Sequence, residues 1–147
     1  MKTFHFQIAT PEKVVFDAPE VEAVTLPTQM GEITVLPDHL PLVANLSAGE
    51  IKIKISGQEI WLAVSGGFIN VRPGAVVVLA DTAERAEEID ETRADQARQR
   101  AKELMEKSRT TEATDYTALA AKLEKELARL KVARKHRDKK RPGMQVE

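Results

Sequence analysis

The chain has 147 residues and a formal net charge of −1, with 42% hydrophobic and 31% charged residues. This length and balance are typical of one ordinary domain, or of a small domain with an appendage, and they give no electrostatic reason to expect nucleic acid. The absence of Cys excludes disulfides, thiolate metal sites and cysteine nucleophiles, and the three scattered His do not form a metal-binding pattern.

No targeting or membrane segment stands out in the sequence. No apolar run approaches the roughly 20 residues that a membrane helix needs, and the first five residues do not begin a signal peptide. We therefore expect a protein of a cytosol-like compartment, with no direct membrane insertion and no metal.

Short runs rich in β-forming residues follow one another through the first 80 residues. Turn signals such as Ala18-Pro19, Ser56-Gly57 and Pro73-Gly74 separate them, and six of the seven Gly and six of the seven Pro lie before residue 82. This punctuation is typical of an all-β sandwich or barrel. The predicted strands are 4–8, 13–16, 21–26, 32–36, 50–55, 59–64, 68–71 and 75–79.

Two of these runs make specific predictions about exposure. Residues 50–55 alternate charged residues with Ile, which predicts a strand with one apolar and one wet face. Residues 76–79 lack alternation and predict a strand covered on both faces. The pair Gly66-Gly67 favours a tight hairpin turn with positive φ, and Ser65 before it lacks the Gly-x-Ser-x-Gly context of a hydrolase nucleophile.

The chain changes character at residues 82–94, where a helix start is predicted. Asp90 can accept a hydrogen bond from the free N–H groups of a first helical turn. With Asp90 as N-cap, Ile89 and Ala94 have the spacing of a hydrophobic staple. The segment is thus explained as a cap before any ligand is considered.

Two helices follow this start. An alanine-rich apolar stripe runs to about residue 108, and a leucine stripe from Tyr116 to Leu130 defines the second helix. A short connection between them predicts an antiparallel hairpin. The fold class is therefore α+β, with an antiparallel β-sandwich at residues 1–82, a helical hairpin at 83–135 and a basic, disordered tail at 136–147.

Charge supports the antiparallel arrangement. Residues 81–95 contain seven acids and two bases, a net −5, whereas residues 129–141 contain eight bases and one acid, a net +7. An antiparallel hairpin brings these two segments together, although exposed pairs stabilise by only about 0–1 kcal/mol each. The basic end could be a solvated helix end, a contact for an acidic protein, or a patch for nucleic acid or anionic lipid. No aromatic residue is interleaved, so the pattern favours a protein partner over nucleic acid.

In order and spacing, several stretches resemble the epsilon subunit of bacterial F-type ATP synthase. The resemblance extends over nearly the whole chain, to about Lys135. It rests on segments 31–33, 36–42 (Leu-Pro-Asp-His-Leu-Pro-Leu), 63–73 (Ala-Val-Ser-Gly-Gly-Phe-Ile-Asn-Val-Arg-Pro), 78–85 and 128–133.

The resemblance implies a β-sandwich of about ten strands and a non-catalytic role in the rotor. Such a subunit lies at the cytoplasmic face of the bacterial cell membrane, couples the gamma subunit to the ring of c subunits and serves proton-driven ATP synthesis. It implies that Glu32 faces the c ring and that His39, in its Pro-bracketed loop, lies against gamma.

The resemblance also implies that the helical hairpin can open and inhibit ATP hydrolysis. In that state basic residues of the second helix meet an acidic segment of the beta subunit. The corresponding residues here are Arg129, Lys131, Arg134 and Lys135.

A regulatory ATP site is a further implication, since some bacterial epsilon subunits bind ATP through an Ile/Leu-Asp-x-x-Arg-Ala motif. Arginines suit triphosphate recognition because their planar donor fork matches phosphate oxygens. Lys125 stands where the pattern has arginine, and a lysine is a point charge rather than a fork. The residues implied are Glu84, Ile89, Asp90, Arg93, Ala94, Arg100, Lys125 and Arg129.

Two alternatives belong to other functional classes. A free-standing β-sandwich adaptor, whose basic tail binds an acidic protein or RNA, would not copurify with a membrane complex. An enzyme has less support, because the sequence contains no paired carboxylates, metal-ligand cluster or phosphate-binding Gly loop. No cofactor is expected to be required.

Overall fold

The computed structural model describes residues 2–107 and 113–139, which form a β-sheet domain followed by two helices. The sheet domain and the helical hairpin that the sequence predicts are both confirmed. Eight strands are present in these residues, rather than about ten. They are β1 (Phe4–Ala9), β2 (Val14–Val21), β3 (Ala23–Thr28), β4 (Gly31–Val35), β5 (Leu42–Ile55), β6 (Gln58–Arg72), β7 (Ala75–Ala80) and β8 (Ala83–Arg85).

The strand count is lower because β5 and β6 are long and continuous, with 14 and 15 residues. The sheet order is β2-β1-β7-β6-β5-β3-β4, and β8 pairs with the first half of β6. The core-facing side of β5 changes along its length, from Leu42, Ala44 and Leu46 to Ile51 and Ile53. Such a change lets one strand serve both layers of a sandwich, which encloses a single core.

The pair Gly66-Gly67 lies inside β6 and is not a hairpin turn, so that prediction is wrong. Their φ values are positive, +128° and +141°, as expected. The physical reason is close packing: a Cβ at Gly67 would lie 2.0 Å from the carbonyl oxygen of Leu79 on β7. The glycines bring two backbones together within the sheet and do not reverse the chain.

Strand β7 also differs from its prediction, because its residues alternate. Val76 and Val78 are buried in the core, whereas Leu79 is 57% exposed. A run of four apolar residues therefore has one core face and one outer face. The outer face continues across the sheet, because Leu79 pairs with Phe68 of β6, which is 59% exposed.

The helices are α1 (Glu91–Lys107) and α2 (Ala113–Lys139), joined to the sheet by a 3-10 turn at 86–88. They pack against each other, and α2 also lies on the outer face of β5 and β6. Val132 is fully buried there in a cluster with Ala63 and Ala86.

The C-terminal helix is longer than predicted. Residues 136–139, which the sequence analysis assigned to a disordered tail, continue α2, and residues 140–147 lie outside the described residues. The reason is tertiary: Arg137 pairs with Glu91, and Lys139 lies over the ring of Trp61. These contacts favour continued helix where a run of like charges alone would not.

Candidate functional site

Arg129 of α2 is the centre of a polar cluster between the helix and the sheet domain. Its Nε donates to Glu84 of β8 at 2.7 Å, and its Nη1 donates to Glu126, one turn earlier, also at 2.7 Å. The Arg129 side chain is 20% exposed and that of Glu126 is 6% exposed. Two carboxylates therefore hold one guanidinium at a largely dry interface.

Burial by itself would lower the pKa of Arg129, because it disfavours the charged form. The hydrogen bonds to Glu84 and Glu126, together with their negative charges, outweigh that effect and raise the pKa above its ordinary value. Arg129 therefore keeps its charge throughout the physiological range. The contact that it makes with Glu84 is thus permanently ionic.

The predicted helix cap is confirmed at Asp90. The backbone N–H of Arg93 donates to Asp90 Oδ1 at 3.1 Å, which places Asp90 at the N-cap of α1. Ala94 is fully buried, and Ile89 packs against the cluster that contains Val132. These three motif residues thus have structural roles in this conformation.

Three of the residues predicted to bind nucleotide meet at a cleft between α2 and the sheet domain. Glu84 and Lys125 line an open cleft of about 340 Å³, which also includes Thr82 and Glu88, and Arg129 adjoins it through Glu84. Neither Arg93 nor Arg100 is among the residues that line this cleft. Both are exposed on α1, and the Arg93 side chain is 84% exposed.

The basic residues of α2 that were predicted to meet an acidic partner are engaged within the chain. Lys135 donates to Glu50 of β5 at 2.5 Å, and the Lys131 Nζ lies 3.7 Å from the same Glu50 oxygen. Arg134 pairs with Glu91, the first residue of α1, at 3.3 Å. Arg129, Lys131, Arg134 and Lys135 therefore all have an acidic partner in the closed arrangement.

Glu32 and His39 lie elsewhere in the sheet domain, Glu32 near the start of β4 and His39 in the loop before β5. Glu32 is exposed beside the β3–β4 turn, next to Met30, whose exposure is 97%. His39 is half-buried in the loop before β5, and its Nδ1–H donates to the carbonyl oxygen of Leu40 at 2.7 Å. The structure does not bring these two residues to the α2 cluster.

An exposed apolar face lies on the side of the sheet that α2 leaves open. Phe68 is flanked across the sheet by Leu79 of β7 and Asn45 of β5, and Val43 of β5 is 73% exposed. The loop before β5 adds Leu40, which is 79% exposed. Contiguous exposed apolar residues of this kind mark protein contact surfaces.

Sequence reasoning missed Glu50, Glu126, Val132 and Trp61. Glu50 was identified only as one charge on the solvent-exposed face of a strand, although α2 covers that face at Glu50. Glu126 precedes Arg129 by three residues, a helical pairing distance that could have identified it. Val132 and Trp61 carry no comparable local signal.

Within the described residues, no group of three or more His, Asp or Glu is arranged to hold a metal ion. In the same part of the chain, neither helix has the length and apolar character needed to cross a bilayer.

Two family models match the chain in succession. Residues 3–86 match the model described as ATP synthase, Delta/Epsilon chain, beta-sandwich domain. Residues 87–134 match the model described as ATP synthase, Delta/Epsilon chain, long alpha-helix domain. Their junction lies at the 3-10 turn between the last strand and α1.

Curated relatives named ATP synthase epsilon chain are similar over most of the chain. That of Dehalococcoides mccartyi (strain CBDB1) is 46% identical, and the alignment covers 99% of this chain and 100% of the relative. That of Chloroflexus aggregans is 42% identical, and the alignment covers 93% of this chain and 96% of the relative. That of Bacillus subtilis is 47% identical, and the alignment covers 71% of this chain and 79% of the relative.

Solved structures agree with these similarities. A chain of the Euglena gracilis mitochondrial ATP synthase, in a structure of OSCP, F1 and the c-ring, superposes with a TM-score of 0.76 and 25% identity, covering 89% of this chain and 81% of that one. A chain of the Tetrahymena thermophila central stalk and c-ring shares the fold, with a TM-score of 0.54 and 12% identity over 92% and 96%. Together with the family models, these findings establish that the chain belongs to the delta/epsilon family of ATP synthase, as a stalk subunit of the epsilon type and not as the catalytic subunit.

Proposed function

We propose that this subunit couples the gamma subunit to the c ring during proton-driven ATP synthesis, and that its helices inhibit ATP hydrolysis when they extend. The observation that carries the proposal is the separation of two surfaces. One outer face of the sheet is apolar and free, and another is covered by a helix held through ion pairs. A stalk contact and a movable helix can therefore operate in the same molecule.

The free apolar face, with Val43, Phe68 and Leu79, suits a permanent contact with gamma. His39 lies in the loop that leads into this face, and Glu32 with Met30 projects from the β3–β4 turn toward the polar loops of the c ring. The subunit would then sit peripherally on the cytoplasmic face of the bacterial membrane. This arrangement needs no membrane-spanning segment in the subunit itself.

The covered face suits a helix that can leave. Lys131 and Arg134 pair with Glu50 and Glu91 through partly exposed groups, and such pairs contribute about 0–1 kcal/mol each. On opening, these cations and Arg129 would be free to meet an acidic segment of the beta subunit. Binding of that segment to the open form would shift the population toward it.

A crosslink that holds the helix closed tests the inhibitory role. Because the chain has no Cys, cysteines can be placed at Glu59 and at Lys139, whose Nζ donates to the backbone carbonyl oxygen of Glu59 at 2.9 Å. A short bismaleimide can join these cysteines before the subunit is added to an ATP synthase depleted of its own epsilon subunit. We expect the crosslinked subunit to bind the complex while ATP hydrolysis stays at the uninhibited rate. The same variant should lower ATP hydrolysis several-fold when each cysteine is instead blocked with a separate, monofunctional maleimide, so that no crosslink forms.

The control is a crosslink within the sheet, between cysteines at Gln58 and Lys54, near the β5–β6 turn, which should leave inhibition intact. Equal inhibition by the closed and the uncrosslinked subunits would contradict the proposal. Failure of the uncrosslinked subunit to bind the depleted complex would contradict the proposed contact with gamma and the c ring.

We further propose that ATP binds at the cleft beside Glu84 and Lys125 and holds the helices closed. The supporting observation is that Arg129, largely buried, adjoins this cleft and is held by a carboxylate that a phosphate group could replace. The exposed Arg93 and Arg100 would then turn toward the phosphates. ATP would act as a regulatory ligand, stabilising the closed form in proportion to its preference for that form.

Calorimetric titration of the full chain with ATP checks this site. Arg93→Ala and Arg129→Ala should each weaken saturable binding at least tenfold, because each removes a charged donor. Arg72→Ala, which removes an exposed arginine on β6, should bind like the parent chain. Absence of heat at millimolar ATP would leave residues 89–94 as a helix cap only.

A further inference from the structure

Glu50 lies on the outer side of β5, at the place where α2 crosses the sheet. Although it alternates with Lys52 and Lys54 on the face predicted to be wet, its side chain is only 14% exposed. The cover is α2 itself, whose Lys131 and Lys135 both approach the Glu50 Oε1 atom. These lysines are four residues apart, so they lie on one face of the helix in successive turns.

The burial of Glu50 beneath α2 requires that Lys131 and Lys135 lie beside its carboxylate. Its other oxygen, Oε2, is buried and has no hydrogen-bond partner among the described residues. A carboxylate taken out of water and only half satisfied requires a nearby cation to remain charged at low cost. Glu50 is therefore stable beneath α2 only while Lys135, at 2.5 Å, and Lys131 remain in place.

Other ion pairs at this end of α2 do not tie the helix to the sheet. Arg134 and Arg137 pair with Glu91, which belongs to α1 and can move with the hairpin. Glu84 of β8 holds Arg129, which precedes Lys131 by two residues and Lys135 by six. Among the described residues, Glu50 is thus the acid of the sheet domain that pairs with α2 beyond Arg129.

We propose that Glu50 is an internal latch, which keeps the C-terminal helix closed by occupying the two lysines, Lys131 and Lys135, that an open helix would offer to an acidic partner. The inference deepens the proposed function and rests on it for the consequence of opening. A lysine ammonium cannot keep its contact with Glu50 after the helix has left the sheet. Closure and partner binding therefore compete for the same charges, and a weaker latch raises the fraction of molecules ready to bind.

The chain contains its own reporter of closure. Trp61 is the single tryptophan, it packs against the cluster of Val132, Ala63 and Ala86, and Lys139 lies 5.0 Å from its ring centroid. Departure of α2 would expose the indole to water. Its emission should then shift to longer wavelength, and acrylamide should quench it more strongly.

The test compares Glu50→Gln with Glu20→Gln in the full chain. Both changes remove one carboxylate charge from a strand, but Glu20 is exposed on β2, away from α2. We expect Glu50→Gln to lower the ratio of closed to open molecules about 5- to 30-fold, because it removes both ion pairs, with Lys131 and with Lys135. Glu20→Gln should leave Trp61 quenching unchanged. Equal quenching in Glu50→Gln and the parent chain would overturn the latch.

Lys135→Gln provides a second route, because it alters the more exposed member of the pair and leaves the sheet unchanged. It should also increase quenching, and the double variant should open less than the product of the two single effects. Independent, multiplicative effects would contradict a direct pair. Thermal unfolding of the sheet domain should remain close to that of the parent, so that opening is distinguished from loss of the fold.

The latch and the proposed inhibition can fail separately. If Glu50→Gln opens the isolated chain and also inhibits hydrolysis more strongly in a reassembled complex, both are supported. If the chain opens and hydrolysis is unchanged, the latch stands and the inhibitory role is contradicted. If Trp61 does not respond, the latch is wrong whatever the hydrolysis rate.

Discussion

At the scale of single residues, Gly67 shows how one position can decide a strand pairing. Its φ of +141° lies in a region that side chains rarely adopt, and a Cβ there would meet the Leu79 carbonyl oxygen and the Ala80 Cα. Glycine is the residue that permits both the conformation and the approach. The sequence signals Gly66-Gly67 clearly, but a turn and a close approach of two strands produce the same signal.

Gly67→Ala should destabilise the protein by at least about 3 kcal/mol, the sum of backbone strain and overpacking. Gly57→Ala is the matched control, because Gly57 also has positive φ but has no atom within 4 Å of the added methyl group. That control should cost only about 1–2 kcal/mol. Urea denaturation measures both, and an equal loss at the two positions would show that contact with β7 is not the cause.

At the residue scale the predicted cap at Asp90 is confirmed, because capping depends on neighbours within three or four positions. The Arg129 cluster is different. Glu84 and Arg129 are 45 residues apart, and Glu50 and Lys135 are 85 apart. Local patterns predicted that Arg129 and Lys135 could bind an acidic partner. They could not predict which acidic residues of the same chain pair with them.

At the scale of elements, α2 has two packed sides, and the sequence pattern indicates only one. The leucine stripe begins with Tyr116, which is 45% exposed, and includes Leu127, which is 46% exposed, although Leu130 is buried. The second side carries Arg129, Val132 and Lys135, which lie against the sheet domain. Because two of these three residues are charged, the pattern does not indicate an apolar face, and the contact could not be predicted from periodicity.

Strand β5 likewise shows what a sequence pattern predicts and what it does not. The alternation of residues 50–55 predicted the core side correctly, since Ile51 and Ile53 are fully buried. It could not show that α2 covers Glu50 on the opposite side, or that β5 begins at Leu42. Alternation shows which residues share a face of the strand. Whether another element packs on that face depends on the tertiary structure.

At the scale of the whole molecule, the two outer faces of the sheet differ in what covers them. One face is covered by α2, and the other exposes Val43, Phe68 and Leu79. An exposed apolar face of this kind is typical of a protein contact surface. This is the surface through which we expect the subunit to bind the stalk.

Phe68→Asp should weaken binding to a gamma-containing ATP synthase complex at least about 30-fold, because central aromatic residues contribute most at such interfaces. The midpoint of thermal unfolding should change little, since Phe68 is 59% exposed in the isolated subunit. Leu104→Asp, an equivalent change at a 48% exposed position on α1, is the control. Sedimentation with the depleted complex measures both, and unchanged binding by Phe68→Asp would exclude this face as the contact.

Composition and local spacing were enough to predict the division into a strand-rich part and a helical part, the cap at Asp90, and the opposite charges that bring Glu91 and Arg137 together. These features depend on composition and on neighbours a few residues apart, where backbone geometry fixes the spacing. The position of α2 on β5 and β6, with Glu84 on Arg129 and Glu50 on Lys131 and Lys135, became known from the folded structure alone. Such pairs depend on how whole elements are placed, and elements are placed by the total burial they achieve rather than by any local pattern.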